Sequence, residues 1–131
     1  MPTGYLTRVV EFTATHRFPK GERFGAAAAD HGHRYQCRVT VSGPFDPEAG
    51  GVMRLGTFDA LLAREITARL DGRHVNDHLP EFADGRWLAT GEALAVYLWE
   101  RLAPQLPPGV RLRVVRVQEG PDLYSEYRGE P

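Results

Sequence analysis

The segment DHGHRYQCRVTV, residues 30–41, decides the fold of this chain. From His31 onward, apolar and imidazole side chains fall on one side of an extended chain and polar side chains on the other. The first set comprises His31, His33, Tyr35, Cys37, Val39 and Val41. This alternation predicts a half-buried β-strand whose inward side begins with two histidines.

The preceding segment has the same pattern. Between Thr7 and Phe18, the residues at 10, 12, 14, 16 and 18 share one side of a strand, and His16 is among them. Residues 19–30 are predicted to form a long loop before the second strand, because proline and glycine bound them. The sequence therefore predicts a third histidine, His16, facing inward beside the other two.

Two helices and two further strands follow. Apolar residues recur at helical spacing in FDALLAREITARL (58–70) and in GEALAVYLWERLA (91–103), behind Thr57 and Thr90 as predicted N-caps. The segment between them, 71–89, is polar and is predicted to be a long loop. Strands are predicted at 110–118 and 124–127. The order β-β-α-α-β-β predicts one α+β domain over residues 1–131, with two helices on one face of a four-stranded antiparallel sheet.

Composition narrows the function. The 131 residues carry 16 Lys and Arg against 17 Asp and Glu, a net charge of -1, which argues against nucleic acid or an anionic membrane as partner. Cys37 is the only cysteine and suits a reducing compartment. No apolar run approaches the length of a membrane span or a signal peptide. We expect a cytoplasmic protein that acts on a small molecule.

Three inward histidines on two neighbouring strands predict a metal centre. Residues i and i+2 of a strand lie on the same face, so His31 and His33 can reach one point together with His16. Three imidazoles without a cysteine ligand are typical of catalytic zinc, which keeps its fourth position open. The alternative is that each histidine is a neutral, hydrogen-bonded core residue. Burying three unpaired imidazoles on one face would be costly, which favours zinc.

The ordered motifs resemble the family of 6-pyruvoyl-tetrahydropterin and 6-carboxytetrahydropterin synthases, zinc lyases of the tunnelling (T-) fold. The matching stretches are FTATHRFP, HGHRY, GGVMRLGTFDAL, LDGRHVND, TGEALA and VRVQEG. The resemblance implies zinc on His16, His31 and His33, and a pterin ring anchored by Glu119. It also places Thr90 and Glu92 in the substrate-binding set, and implies trimers or hexamers with sites between subunits.

The chain departs from the family at the residues that transfer protons. The family's cysteine base is replaced by Ala27, and the histidine of its Asp-His pair by Gly72. Arg54 stands where the family has an aspartate, and Gly120 follows the anchoring glutamate in place of threonine. A positioned acid or base contributes roughly 10² to 10⁴ in rate, so the usual reaction should be very slow.

The loop after the first helix contains candidates for the missing acid and base. Asp71 with His74 or His78 would make an acid/base set, although both histidines could equally be surface residues. The leading hypothesis is a zinc-dependent lyase or cyclase repurposed to a related carbonyl- or polyol-bearing substrate. The alternatives are a non-catalytic zinc-bearing module that binds a pterin-like ligand, and a zinc ion that merely braces an oligomer.

Overall fold

A long antiparallel hairpin dominates the fold. The structure is a computed structural model, and it describes residues 2–48, 50–83 and 86–131. Strands β1 (Thr3–His16) and β2 (His31–Pro44) pair along their whole length, with His16 opposite His31 and Thr3 opposite Pro44. The predicted alternation is confirmed, but β1 runs from Thr3 to His16 and not from Thr7 to Phe18.

The sheet has five strands where four were predicted. Its order is β3-β1-β2-β4-β5, with β3 (Arg73–His74), β4 (Arg111–Gly120) and β5 (Leu123–Tyr127). The extra strand, β3, lies parallel to β1 at Ala14 and Thr15. Two hydrogen bonds just before β3 tie this segment down: the Thr13 amide donates to the Asp71 carboxylate, and the Gly72 amide donates to the Thr13 carbonyl. A two-residue strand has no periodicity, so the sequence pattern could not reveal it.

The first helical segment begins earlier than predicted. Helix α1 (Leu55–Leu62) continues through a π-helical turn (Ala63–Thr67) into α2 (Ala68–Leu70). The prediction of Thr57 as N-cap was wrong: the Phe58 amide donates to the carbonyl of Arg54, which is the capping residue. Arg54 therefore caps α1 through its backbone carbonyl.

The region 71–89 is more ordered than a loop. It contains β3, α3 (Val75–His78) and α4 (Pro80–Ala83), while Asp84 and Gly85 lie outside the described residues. Val75, Leu79 and Phe82 are buried and attach this segment to the core. Likewise the predicted loop 19–30 contains a short 3₁₀ helix, Gly25–Ala28.

The last helix follows the prediction. Helix α5 (Gly91–Leu102) begins behind Thr90, whose hydroxyl accepts a hydrogen bond of 3.1 Å from the Ala93 amide. A 3₁₀ turn, Ala103–Gln105, ends it. The helices and the inward residues of the strands form one apolar core, as expected for helices on one face of a sheet. No helix in the described part of the chain is long and apolar enough to cross a bilayer.

Candidate active site

Strand register brings three histidines together at one end of the hairpin. His16 lies opposite His31, and His33 extends from the same face two residues further along β2. The ring centroids are 4.4 Å apart for His16 and His31, 5.0 Å for His16 and His33, and 5.1 Å for the two β2 histidines. One nitrogen from each ring lies within 4.8 Å of the others. The predicted metal ligands therefore converge.

Backbone carbonyl groups orient two of the three rings. His16 donates from Nδ1 to the carbonyl of Ala89 at 2.6 Å, and His31 donates from Nδ1 to that of Ala29 at 2.9 Å. A carbonyl oxygen only accepts, so each Nε2 keeps its lone pair for a ligand. Such outer hydrogen bonds are typical of metal-binding histidines.

His16 is suited to a metal and poorly suited to a plain core. The residue is buried, and its Nε2 has no hydrogen-bond partner among the described residues. Burial, opposed by the hydrogen bond to the Ala89 carbonyl and reinforced by the neighbouring histidines, lowers the pKa of His16 to about 4. The imidazole is therefore neutral at pH 7, which is the form that binds a metal ion. Three such nitrogens without a thiolate fit zinc with an open fourth position.

A cavity of about 460 Å³ extends from His33 to the end of β4. His33, Tyr35 and Glu119 line it, together with Gly120. Burial and then the charge of Glu119 raise the pKa of Tyr35, whose hydroxyl has no hydrogen-bond partner in the described structure. Tyr35 and Glu119 thus both line this cavity.

Gly91, the first residue of α5, leaves room for the Glu119 carboxylate. A Cβ atom at Gly91 would lie 2.5 Å from Oε1 of Glu119 and 3.3 Å from Oγ of Ser125. The carboxylate therefore rests against the start of α5, where the helix dipole favours negative charge. Thr90, also predicted to bind substrate, uses its hydroxyl as the helix cap, and Glu92 is exposed in the first turn.

The three residues predicted to move protons are not gathered into one group. Asp71 accepts from the Thr13 amide at 2.9 Å and is exposed. His78 is exposed at the end of α3. His74 is half-buried and pairs with carboxylates other than Asp71: its Nε2 lies 3.0 Å from Asp30 Oδ1, and its Nδ1 lies 3.6 Å from Asp77 Oδ2.

Sequence reasoning missed the polar cluster around His74. Arg17 contacts His74 Nε2 at 3.2 Å, Asp30 at 3.3 Å and Asp77 at 3.1 Å, and its amide donates to Asn76. Arg17 and Asp30 directly follow and precede metal-site histidines. Their position next to His16 and His31 was the one signal available in the sequence.

Three further positions singled out in the sequence, Ala27, Gly72 and Cys37, have defined local surroundings. Ala27 lies in the 3₁₀ helix, and its carbonyl accepts from the Phe18 amide. Gly72 has φ 72°, in the left-handed region that favours glycine over histidine. Cys37 is fully buried, and burial raises the pKa of its thiol to about 12. The prediction that Cys37 packs in the core is confirmed.

Fold and site together define a T-fold domain with a histidine triad at one end of its hairpin. The family model described as 6-pyruvoyl tetrahydropterin synthase matches residues 5–130, and the chain belongs to this family of pterin synthase-type lyases. The 6-pyruvoyl tetrahydrobiopterin synthase of Homo sapiens is 36% identical over 135 residues, covering 95% of this chain and 91% of the human one. That of Poecilia reticulata is 35% identical over 137 residues, covering 97% and 91%. The structure of the Caenorhabditis elegans 6-pyruvoyl tetrahydropterin synthase superposes with a TM-score of 0.88 at 27% identity, covering 99% of this chain and 98% of that one.

Proposed function

We propose that the protein is a zinc-dependent lyase or cyclase of this family that acts on a pterin-like, carbonyl- or polyol-bearing small molecule. The observation that carries the proposal is the buried, unpartnered Nε2 of His16, which faces the imidazoles of His31 and His33. Zinc bound by these three nitrogens would polarise a substrate oxygen. All three ligands come from one chain, which argues against zinc as a mere brace between subunits.

Glu119 would anchor the heterocycle. Its carboxylate faces the cavity that His33 also lines, so a ligand between them can contact both. A carboxylate accepts two hydrogen bonds from an amidine-like edge, which gives the ring a fixed orientation. Tyr35 would form part of the cavity wall as a neutral phenol. The flat ring would then hold its side chain toward the histidines.

His74 is the strongest candidate to transfer protons in place of the missing cysteine and histidine. Asp30 and Asp77 flank its ring, and Arg17 contacts the same nitrogen as Asp30. A carboxylate beside a histidine orients the ring and stabilises its protonated form, as general acid/base catalysis requires. Asp71, engaged with the Thr13 amide, would position β3, and His78 would have no role in proton transfer.

A second candidate function is a non-catalytic module that binds zinc and a pterin-like ligand. The replacement of the family's two proton-transfer residues by Ala27 and Gly72 favours it. The three histidines, through zinc, and Glu119 would then hold a small molecule that no nearby group can deprotonate. Both functions predict that a pterin-like ligand binds, but only the first predicts turnover.

We also propose a cytoplasmic homo-oligomer, a trimer or hexamer. Strand β1 has β3 as a partner on its outer side only at Ala14 and Thr15, and β5 ends the sheet on the other side. Tyr5, Leu123 and Tyr124 are exposed near these edges. Uncovered edge strands with apolar neighbours favour pairing between subunits.

Turnover of dihydroneopterin triphosphate by the zinc-loaded protein is the direct test. Wild type should give slow but measurable product, and Ala27→Cys should raise the rate by roughly 10² or more by restoring a base. His74→Gln should abolish the wild-type rate, and His78→Gln is the matched control that should leave it unchanged. Ligand binding without product in both wild type and Ala27→Cys would favour the non-catalytic module.

A further inference from the structure

A cationic cleft lies on the sheet face away from the helices, at the opposite end of the hairpin from the histidines. Thr3, Ser42, Arg111 and Arg113 line it, and its volume is about 200 Å³. Thr3 pairs with Pro44, thirteen positions along β1 from His16, which at the rise of an extended strand is roughly 40 Å away. The cleft is therefore separate from the candidate active site.

A β-bulge places Arg113 in this cleft. Thr40 lies opposite Val114 and Val41 lies opposite Leu112, so Arg113 has no partner in the ladder between β2 and β4. Bulges redirect side chains, and this one puts Arg113 on the same face as Arg111. Leu112 and Val115 remain buried on the other face.

A buried hydroxyl holds the Arg113 guanidinium in place. Ser42 is 1% exposed, and its Oγ accepts a 2.7 Å hydrogen bond from Nε of Arg113. This bond uses one of the five N–H donors of arginine. The four Nη–H donors of Arg113 have no hydrogen-bond partner within residues 2–48, 50–83 and 86–131, so they are available to a ligand.

The positive charge of the cleft is not neutralised. On the same sheet face, Arg34 pairs with Glu11 and Arg116 pairs with Glu126. Arg111 and Arg113, in contrast, form no ion pair with any described residue, and no acidic side chain lines the cleft. Two adjacent unpaired guanidinium groups present planar donor sets that match the oxygens of an oxyanion.

We infer that this cleft binds a phosphate-type oxyanion, either the free ion or the terminal group of a phosphorylated small molecule. The volume is below the 300 Å³ or more that is typical of sites for drug-sized ligands, so the cleft suits one oxyanion group and not a whole heterocycle. The two arginines would bind the oxygens, and Ser42 would keep the Arg113 fork oriented. This site is independent of the proposed chemistry at the histidines.

Calorimetric titration of the full, zinc-loaded chain with inorganic phosphate tests the inference, with chloride added to hold the ionic strength constant. We expect saturable binding of one phosphate per chain. Arg111→Gln and Arg113→Gln should each weaken it by about tenfold or more, because each removes a charged hydrogen-bond donor set. Arg113→Lys should also weaken it, since lysine keeps the charge but loses the fork and the bond to Ser42.

Arg38→Gln is the matched control, because Arg38 is exposed on the same sheet face and lies outside the cleft. An equal loss in this variant would mean diffuse attraction to a positive face and would overturn the inference. Phosphate binding that persists in Arg111→Gln would locate the ion elsewhere, for example at the metal centre, and would also overturn it, as would the absence of saturable binding. Arg111 makes no side-chain hydrogen bond in the described structure, so its variant should fold even if Arg113→Gln does not.

A second titration distinguishes the two sources of the anion. Methyl phosphate that binds as tightly as inorganic phosphate would indicate that the cleft accepts a phosphomonoester. Binding of inorganic phosphate alone would indicate a site for the free ion. Either result must be lost in Arg111→Gln to support the cleft.

Discussion

His16 donates a 2.6 Å hydrogen bond from Nδ1 to the carbonyl oxygen of Ala89, which comes from the segment before α5 and not from the hairpin. This contact fixes the tautomer of the ring and its orientation before any ligand arrives. The candidate metal site is thus built by two parts of the chain: the hairpin supplies the three imidazoles, and the segment before the last helix orients one of them.

Zinc should stabilise the folded protein with one ion bound per chain. At a free zinc concentration of 100 times the dissociation constant, the free energy of unfolding should rise by about 2.7 kcal/mol. His16→Gln should remove both the bound zinc and the stabilisation, as measured by elemental analysis and thermal unfolding. His78→Gln, which changes an exposed histidine, should retain both. A zinc content near zero in wild type purified without chelator would contradict the metal centre.

The metal-free protein should lose stability as the pH falls below 6.5. The pKa of His16 is about 4 in the folded state against a usual value of 6.5, so the unfolded chain binds more protons between these values. The contribution of neutral His16 to the free energy of unfolding is complete above pH 6.5 and is lost as the pH falls toward 4. Between pH 7 and pH 5, this residue should lower the free energy of unfolding by about 2 kcal/mol. Urea unfolding at both pH values should show a smaller difference for His16→Gln than for His78→Gln. Equal differences in the two variants would refute the assignment.

Removing only one partner of the Glu65–Arg101 ion pair should lower the free energy of unfolding. Glu65 lies in the π-helical turn with its side chain 7% exposed, and Arg101 donates to it at 2.7 Å from α5. Arg101→Met should reduce the free energy of unfolding by about 2 kcal/mol, because a buried carboxylate loses its closer charged partner and keeps only Arg64 at 3.5 Å.

The double variant Glu65→Gln, Arg101→Met should recover part of that loss in chemical denaturation. Arg8→Met breaks an ion pair with Asp59 in which both side chains are more than 40% exposed, and should cost clearly less than Arg101→Met because water screens the pair. A cost for Arg101→Met no larger than that of Arg8→Met would contradict the importance of burial.

Gly91→Ala should impair ligand binding with little effect on stability. The added methyl group would displace the end of the flexible Glu119 side chain, while alanine is favoured over glycine in a helix. Affinity for a pterin, measured by fluorescence quenching, should fall by about tenfold, in the same direction as for Glu119→Gln. Gly56→Ala, where a Cβ atom meets open space in the first turn of α1, is the control. Unchanged affinity in Gly91→Ala would argue that Glu119 does not bind the ring.

The sequence predicted the hairpin because its alternation is long and regular. Fourteen-residue strands with one apolar face leave little freedom in register, so His16, His31 and His33 could be placed correctly. The cap at Thr90 was predictable for a similar local reason. The two-residue strand β3 and the start of α1 at Leu55 were not, because they depend on a few local contacts that leave no periodic signal.

The metal ligands were predictable, but the surroundings of His74 were not. Periodicity places side chains on the faces of regular elements, whereas His74, Asp30 and Arg17 meet through chain segments that are separated in sequence and irregular in structure. The same limit applies to Ala89, whose contribution is a backbone carbonyl and is invisible in its residue type. Arg111 and Arg113 were visible as charged strand positions, but only the bulge reveals that they share a cleft.

The two halves of the candidate active site differ in how firmly the chain secures them. The three imidazoles belong to a strand pair whose register also buries Phe12 and Tyr35, so their relative positions depend on the same pairing that forms the core. The segment bearing His74 pairs with β1 in the sheet at only two positions, so changes to its exposed polar side chains should disturb the hairpin less. We therefore expect substitutions near His74 to alter or abolish proton transfer without changing the arrangement of the three histidines.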